Sequence, residues 1–152
     1  MTLDSIDQRI LAVLQKQGRI SNADLAERIN LSASACHRRV QQLETDGYIR
    51  DYVALVDPRK VHRQTTVFVE ITLSGQTDDV LEAFEKAVAR VPDVLECHLM
   101  AGSADYMLKV VARDTEDFAS IHRRSLATLP GVQGMRSNFA LRTVFKTTAL
   151  PV

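Results

Sequence analysis

The first fifty residues place apolar side chains at helical spacing. The apolar positions of the first segment lie three or four residues apart: Leu3, Ile6, Ile10, Val13 and Leu14. This spacing predicts an amphipathic helix from about Asp4 to Gln17. Asp4 is placed to cap its first turn, and Gly18 follows the last turn, where a left-handed residue commonly ends a helix.

Two shorter helices follow in the same pattern. The second begins at Ser21, and the third has Ser32 as its cap and runs to about Asp46, where Gly47 ends it. Its predicted inner face consists of Cys36, Val40 and Leu43. About three residues separate the second and third helices, which is typical of a helix-turn-helix. A three-helix bundle with a purely structural role shows the same pattern, so both interpretations remain open here.

The hydrophobic period changes after the third helix. The residues up to Val56 are rich in β-forming side chains and predict a strand-like arm, which Asp57 and Pro58 interrupt. We therefore expect a linker near residues 58–63. It divides the chain into a helical domain over residues 1–60 and a second domain over residues 61–152.

The second domain alternates strands and helices. Apolar residues at period two predict strands over Thr65–Leu73, 94–101, 106–112 and roughly 132–145. Helical spacing predicts one helix between Thr77 and Pro92 and another between Asp114 and Pro130. The order βαββαβ predicts a ferredoxin-like sandwich, a four-stranded antiparallel sheet with two helices on one face. The whole chain is therefore expected to be an α+β protein.

Apolar residues occur on both alternating faces of the middle strands. Leu95, Cys97 and Leu99 alternate with Val94 and Met100. Two helices cover only one face of such a sheet, and an extended apolar face seldom stays exposed to water. We therefore expect a homodimer in which a second copy covers the other face.

Composition narrows the function classes. The 152 residues are 45% hydrophobic and 25% charged, with a net charge of zero, so a nucleic-acid partner must be argued from local charge. The two cysteines have neither zinc spacing nor a disulfide framework, and no metal site or cofactor is expected. The sequence lacks a leader-like N-terminus and a membrane-length apolar run, which predicts a cytoplasmic protein without membrane contact.

The outward face of the third helix carries groups suited to DNA. With the apolar residues facing inward, Ser34, Arg38 and Gln41 point outward. Arginine forks onto guanine, glutamine pairs with adenine, and serine near a helix N-terminus contacts phosphate. The predicted DNA-binding residues are Ser32, Ser34, His37, Arg38, Arg39, Gln41 and Gln42. A solvated polar face is the alternative, and Arg39 suits a phosphate contact or an intraprotein ion pair equally well.

Motifs along the chain resemble those of the Lrp/AsnC (leucine-responsive, feast/famine) transcriptional regulators. The matching positions are Leu3-Asp4, Gly18-Arg19, Leu25-Ala26, Ser32, Ser34, Cys36, Arg39, Val40, Leu43, "ALVDP", "AGSADYML" and "SNFAL…KTTALP". The resemblance implies a winged helix-turn-helix followed by a ferredoxin-like effector domain, in dimers that commonly form octamers. It implies a regulator that binds pseudo-palindromic double-stranded DNA and responds to a small effector, an amino acid above all. Ala35 and Arg63-Gln64 depart from the family pattern.

The same resemblance directs attention to the turn between the two middle strands of the second domain. An amino acid needs partners for a carboxylate and an ammonium group. Backbone N–H groups around Gly102 suit the first, and Asp105 suits the second. The predicted effector-binding residues are Leu99, Met100, Gly102, Ser103, Ala104, Asp105 and Tyr106. The alternative is an ordinary hairpin loop in which Asp105 bonds its own backbone.

Two other functions compete with a regulator. An enzyme would place catalysis on residues such as His98, His122 or Asp105, but the sequence shows no nucleophile–base pair and no glycine-rich phosphate loop. A sensor that binds protein partners through its helical domain would use the same outward face. Site-specific DNA binding by Arg38 separates the regulator from that sensor.

Overall fold

The structure, a computed structural model, describes residues 3–152. Met1 and Thr2, the start of the predicted first domain, lie outside the described residues. The chain divides into two compact units. The first unit comprises residues 3–55 together with Phe145–Val152, and the second comprises Val56–Val144.

Three helices form the first unit: α1 over Ser5–Leu14, α2 over Asn22–Ile29 and α3 over Ala33–Thr45. Their predicted caps are confirmed. The Asp4 carboxylate accepts from the N–H groups of Ile6 and Asp7, Ser21 accepts from Asp24, and Ser32 accepts from Ala35. Each cap satisfies an N–H that the first turn of a helix leaves without an intrahelical partner.

The prediction that Gly18 is a left-handed helix terminator is wrong. Helix α1 ends at Leu14, and the backbone of Gly18 is not left-handed. The chain leaves α1 through right-handed turns, so nothing there requires a positive φ. Gly47, by contrast, has φ +77° after α3, and this is the conformation that glycine adopts without steric cost.

The inward faces of the three helices share one small core. Its buried members are Ile10, Leu11, Leu25, Ala26, Ile29, Cys36 and Leu43. Burial raises the pKa of the Cys36 thiol, so this side chain is a neutral, small apolar residue of the core. Because α3 contributes Cys36 and Leu43 to this core, the opposite stripe of the helix faces outward.

The second unit is the predicted βαββαβ sandwich. Its elements are β1 over Thr65–Leu73, α4 over Asp78–Val88, β2 over Val94–Leu99, β3 over Tyr106–Ala112, α5 over Thr115–Ile121 with a π-helical turn over His122–Leu126, and β4 over Val132–Phe139. The antiparallel sheet has the order β2-β3-β1-β4. Alternate residues of β1 and β3 are buried in a core that includes Phe84 and Phe118.

Several elements differ from the sequence-based expectation, and among them β2 ends at Leu99 and not at residue 101. The last strand, β4, ends at Phe139 and not near residue 145. Its pairing with β1 stops there, just before Ala140 N–H donates to the Thr66 carbonyl at 3.0 Å. The arm over residues 51–57 is not a strand, since no strand of residues 3–152 pairs with it. The last helix shifts to i→i+5 bonding, with Ala127 N–H donating to His122.

The sheet face away from the helices is mixed in character. Phe68 lies there with 40% of its surface exposed, close to half-buried Met107 and Val111. Charged pairs share this face: Lys109 with Glu96 at 2.7 Å and Arg136 with Glu70 at 3.9 Å. Other exposed apolar side chains lie at the sheet edge formed by β2, where Leu95 and Leu99 are more than half exposed.

Candidate functional site

The outward stripe of α3 is exposed, as its period predicts. Six of the seven side chains predicted to contact DNA are exposed: Ser32, Ser34, His37, Arg38, Gln41 and Gln42. The Arg38 side chain makes no hydrogen bond or ion pair with any of residues 3–152. Its guanidinium can therefore donate all its hydrogen bonds to a ligand, and Gln41 lies about one turn further along the helix on the same side.

The start of α3 is held from two directions. Ser32 caps the helix, and its hydroxyl lies 3.3 Å from the hydroxyl of Ser34. Asn22, at the start of α2, donates from its side-chain amide to the Ala33 carbonyl at 2.8 Å. Sequence reasoning missed Asn22, since no sequence pattern marks a side chain that bonds the backbone of the next helix. These contacts fix the end of α3 nearest to Ser34.

Arg39 forms the ion pair that the sequence left as one of two alternatives. One terminal nitrogen, Nη1, lies 2.8 Å from Asp4 Oδ2 and 2.8 Å from Asp7 Oδ1. Asp7 is buried, and Arg39 is half-buried. The N–H of Asp7 and the guanidinium of Arg39 hold the pKa of the Asp4 carboxyl below its usual range. Arg39 thus fastens the beginning of α1 to the middle of α3.

Gln42 also has a partner, at the residue that follows its own helix. Its side-chain amide donates to Asp46 Oδ1 at 2.7 Å. This bond turns Gln42 towards the C-terminal end of α3. Three side chains of the outward stripe make no hydrogen bond or ion pair with any of residues 3–152: His37, Arg38 and Gln41. Ser34, whose hydroxyl lies near that of Ser32, is at the beginning of the stripe.

The arm after α3 is attached to that helix by one tyrosine. The Tyr52 hydroxyl donates to Glu44 Oε1 at 2.9 Å. Burial and the neighbouring Glu44 carboxylate raise the pKa of Tyr52 to about 12, so its hydroxyl keeps its proton at neutral pH. The bond also engages the acidic side chain of α3 that lies nearest to the outward stripe.

The turn between β2 and β3 closes through backbone bonds. Met100 N–H donates to the Asp105 carbonyl, and Asp105 N–H donates to Ile71 on β1, each at 2.9 Å. The intervening N–H groups, from Ala101 to Ala104, donate to no acceptor among residues 3–152. Gly102 is not left-handed, and a Cβ on it would meet nothing within 4 Å. The backbone of this turn therefore does not depend on the conformational freedom of glycine at position 102.

The side chains of this turn divide into an inward and an outward set. Asp105 is 9% exposed, and its carboxylate accepts from Leu73 N–H and from the Gln76 side chain, each at 2.7 Å. It bonds β1 and the loop before α4, and this differs from both the free carboxylate and the self-bonded one that were expected. Leu99, Met100, Gly102 and Ser103 are exposed, and Ala104 is half-buried.

Tyr106 belongs to the core of the second unit. Its side chain is 1% exposed, its ring centroid lies 4.6 Å from that of Phe84, and its hydroxyl donates to Glu85 Oε1 at 2.6 Å. Burial and the Glu85 carboxylate raise the pKa of Tyr106. Any effect of Tyr106 on a ligand at the turn is therefore indirect, through the position of β3.

Among residues 3–152, no three His, Cys, Asp or Glu side chains form a group that could hold a metal ion. No helix in that range is long and apolar enough to cross a bilayer.

Known families and curated proteins match both units. The family model described as "Lrp/AsnC ligand binding domain" matches residues 66–150, and the one described as "Winged helix-turn-helix DNA-binding" matches residues 3–50. The Bkd operon transcriptional regulator of Pseudomonas aeruginosa is 40% identical over 150 residues, 99% of this chain and 98% of that protein. The leucine-responsive regulatory protein of Escherichia coli is also 40% identical, over 99% of this chain and 92% of that protein.

Solved structures match the fold over nearly the full length. A transcriptional regulator of Neisseria meningitidis, solved in complex with L-Met, superposes with a TM-score of 0.94 at 38% identity, covering 99% of this chain and 97% of that one. An AsnC family transcriptional regulator of Agrobacterium tumefaciens gives the same TM-score and identity, covering 98% and 97%.

Proposed function

The chain belongs to the Lrp/AsnC family of transcriptional regulators, and we propose that it binds specific DNA sites through α3 and is modulated by an amino acid at the β2–β3 turn. Family members are regulators and not enzymes, and this removes the catalytic alternative. We assign DNA binding to residues 1–60 and effector binding with oligomerisation to residues 61–152. We expect the protein to carry out both activities in the cytoplasm.

The unpaired guanidinium of Arg38 is the observation that carries the DNA proposal. It lies in the middle of an exposed stripe with Ser34, His37 and Gln41, on a helix whose opposite side is fixed in the core. In a helix-turn-helix, the second helix of the motif enters the major groove and presents such a stripe to the base edges. Arg39 has a positioning role in this proposal, since it fastens α1 to α3.

Salt dependence tests whether the duplex is bound through phosphates as well as bases. We expect duplexes selected from a random-sequence pool by the purified protein to bind with an affinity that falls steeply as salt rises, because released counterions accompany each phosphate contact. Fluorescence anisotropy across a salt series measures the slope. Failure to select any duplex at low ionic strength would contradict the proposal.

The effector proposal is supported by the unpartnered N–H groups of the turn. Consecutive N–H groups from Ala101 to Ala104 offer donors for a carboxylate, and the open space around the Gly102 Cα lets a ligand approach the backbone. Leu99 and Met100 are exposed beside them and suit an apolar side chain. The relative from Neisseria meningitidis was solved with L-Met, so methionine is the first amino acid to test.

Replacing Asp105 by alanine is expected to lower the affinity for the bound amino acid at least tenfold, because the variant loses the carboxylate that Leu73 N–H and Gln76 bind and with it the geometry of the turn. Calorimetry with a panel of amino acids measures it. The matched control is Gln76→Leu, which removes one donor to Asp105 and leaves its charge. Equal affinity in the wild type and Asp105→Ala would exclude Asp105 from the site.

We also propose that the protein acts as a homodimer that assembles further to octamers. The mixed sheet face with Phe68, Met107 and Val111 suits coverage by the same face of a second copy. Two recognition helices about 34–36 Å apart would then match a pseudo-palindromic site. Light scattering at micromolar concentration is expected to give at least twice the chain mass, and a single-chain mass would contradict the dimer.

A further inference from the structure

Gln15 docks the end of the chain on the helical unit. Gln15, the residue that follows α1, accepts from Leu150 N–H through Oε1 at 2.6 Å and donates from Nε2 to the Leu150 carbonyl at 3.0 Å. One side-chain amide thus pairs with both backbone groups of one residue, 135 positions away in the chain. This is the pairing that a neighbouring strand would supply.

The docked residues lie along an apolar groove of about 500 Å³ within the first unit. One wall is formed by the end of α1 and the residue after it, namely Leu11, Leu14 and Gln15, and the other by residues 48–53 after α3. Leu150 and Val152 line the groove from the end of the chain. Ala149 N–H donates to the Thr147 hydroxyl at 3.1 Å, a local turn that shapes the segment before it reaches Gln15. We call Phe145–Val152 the C-terminal strap.

The strap changes how the two units are connected. The chain leaves the helical unit after Leu55 and returns to it at Phe145, so two stretches of backbone join the units. Near the second of these, Ala140 N–H still bonds to Thr66 of the sheet. When Leu150 is bound to Gln15, the strap is fixed within the helical unit and has less conformational freedom than an unbound chain end would have.

The groove is also bordered by the arm, which contacts α3. Tyr52 lines it, and the Tyr52 hydroxyl donates to Glu44 on α3. A continuous series of contacts therefore leads from the strap through the arm to α3. These contacts provide a physical route by which docking of the strap can affect α3.

We propose that the groove between α1 and the arm is the docking site of the chain's own C-terminal strap, and that this docking, held by Gln15, strengthens DNA binding by ordering the helical unit in advance. This inference rests on the proposed function. A helical unit that is already ordered before it meets DNA loses less conformational entropy on binding, and the docked strap adds no phosphate contact. The strap is therefore expected to change the affinity for DNA and not the slope of affinity against salt.

Two variants break the same contact from opposite sides. Gln15→Leu removes both hydrogen bonds at nearly constant volume, and Leu150→Pro removes the N–H that donates to Gln15. Each is expected to lower the affinity for the selected duplex about 3- to 10-fold at an unchanged salt slope, as loss of preorganisation does. The double variant should lose no more than either single one, since both act on one contact.

The control and a direct reading of docking make the outcome decisive. Gln17→Leu changes an exposed glutamine near α1 whose side chain makes no hydrogen bond within residues 3–152, and it should leave DNA affinity unchanged. Hydrogen exchange at the Leu150 amide should be about fivefold faster in Gln15→Leu than in the wild type or the control, because protection reports the closed contact. Light scattering checks that assembly is the same.

Several outcomes overturn the proposal. Equal exchange at Leu150 in the wild type and Gln15→Leu would show that Gln15 does not hold the strap, and this would overturn the proposal whether or not DNA binds. Faster exchange with unchanged or increased DNA affinity would show that docking does not assist binding. If the wild type selects no duplex at all, the DNA proposal itself fails, and the exchange measurement still decides whether Gln15 holds the strap.

Discussion

Replacing Arg38 by alanine is expected to weaken binding to the selected duplex by about 1–3 kcal/mol, or roughly 5- to 150-fold. The reason is the unpaired guanidinium in the middle of the exposed stripe of α3. Truncation removes donors to base edges while Ser32, Asn22 and the core keep the helix in place. Fluorescence anisotropy with the selected duplex and a scrambled duplex of the same composition measures both affinity and specificity.

The matched control is Arg90→Ala, which removes another exposed arginine, just after α4 in the second unit. Its effect on the selected duplex should be small. If Arg38→Ala weakens the selected and scrambled duplexes equally, Arg38 contacts phosphates and does not read sequence. If Arg38→Ala binds as tightly as the wild type, α3 does not enter the groove in the proposed way.

Replacing Leu43 by alanine is expected to destabilise the helical unit by about 2–5 kcal/mol, because deletion of a buried leucine removes apolar contact and leaves a cavity. Leu43 is fully buried on the inner side of α3. A unit of this size has little stability in reserve, so much of it should be lost. Thermal unfolding followed by circular dichroism should show an earlier helical transition, together with reduced DNA binding at the same temperature.

Leu108→Ala provides the contrast, since Leu108 is equally buried in the sheet of the second unit. It should shift the transition of the second unit and impair amino acid binding first. A single transition shifted equally by both variants would mean that the two units unfold together. An unchanged transition in Leu43→Ala would contradict the core assignment of α3.

Periodicity and turn chemistry made much of the fold predictable. The helical spacing of Ile6, Ile10 and Leu14 and the caps Asp4, Ser21 and Ser32 are local signals, and the structure contains the corresponding helices. The βαββαβ order follows in the same way from alternation along β1 and β3. The exposed stripe of α3 is also a local consequence, because its inner residues determine which side faces outward.

Features that depend on distant partners were not predictable. Asp105 faces inward because Leu73 N–H and Gln76, on another part of the chain, bind its carboxylate. The arm lacks a partner strand among residues 3–152, although its residues favour strands. The contact between Gln15 and Leu150 joins residues whose own sequence neighbourhoods contain no signal of it.

The bonds of Asp105 have a consequence for how such proteins diverge. A residue whose carboxylate holds the edge of one strand and the loop beyond it cannot be exchanged freely when a descendant changes its ligand. The exposed side chains of Leu99, Met100 and Ser103 form no such bonds within residues 3–152. New ligand preferences should therefore arise at this rim, upon a frame that stays the same.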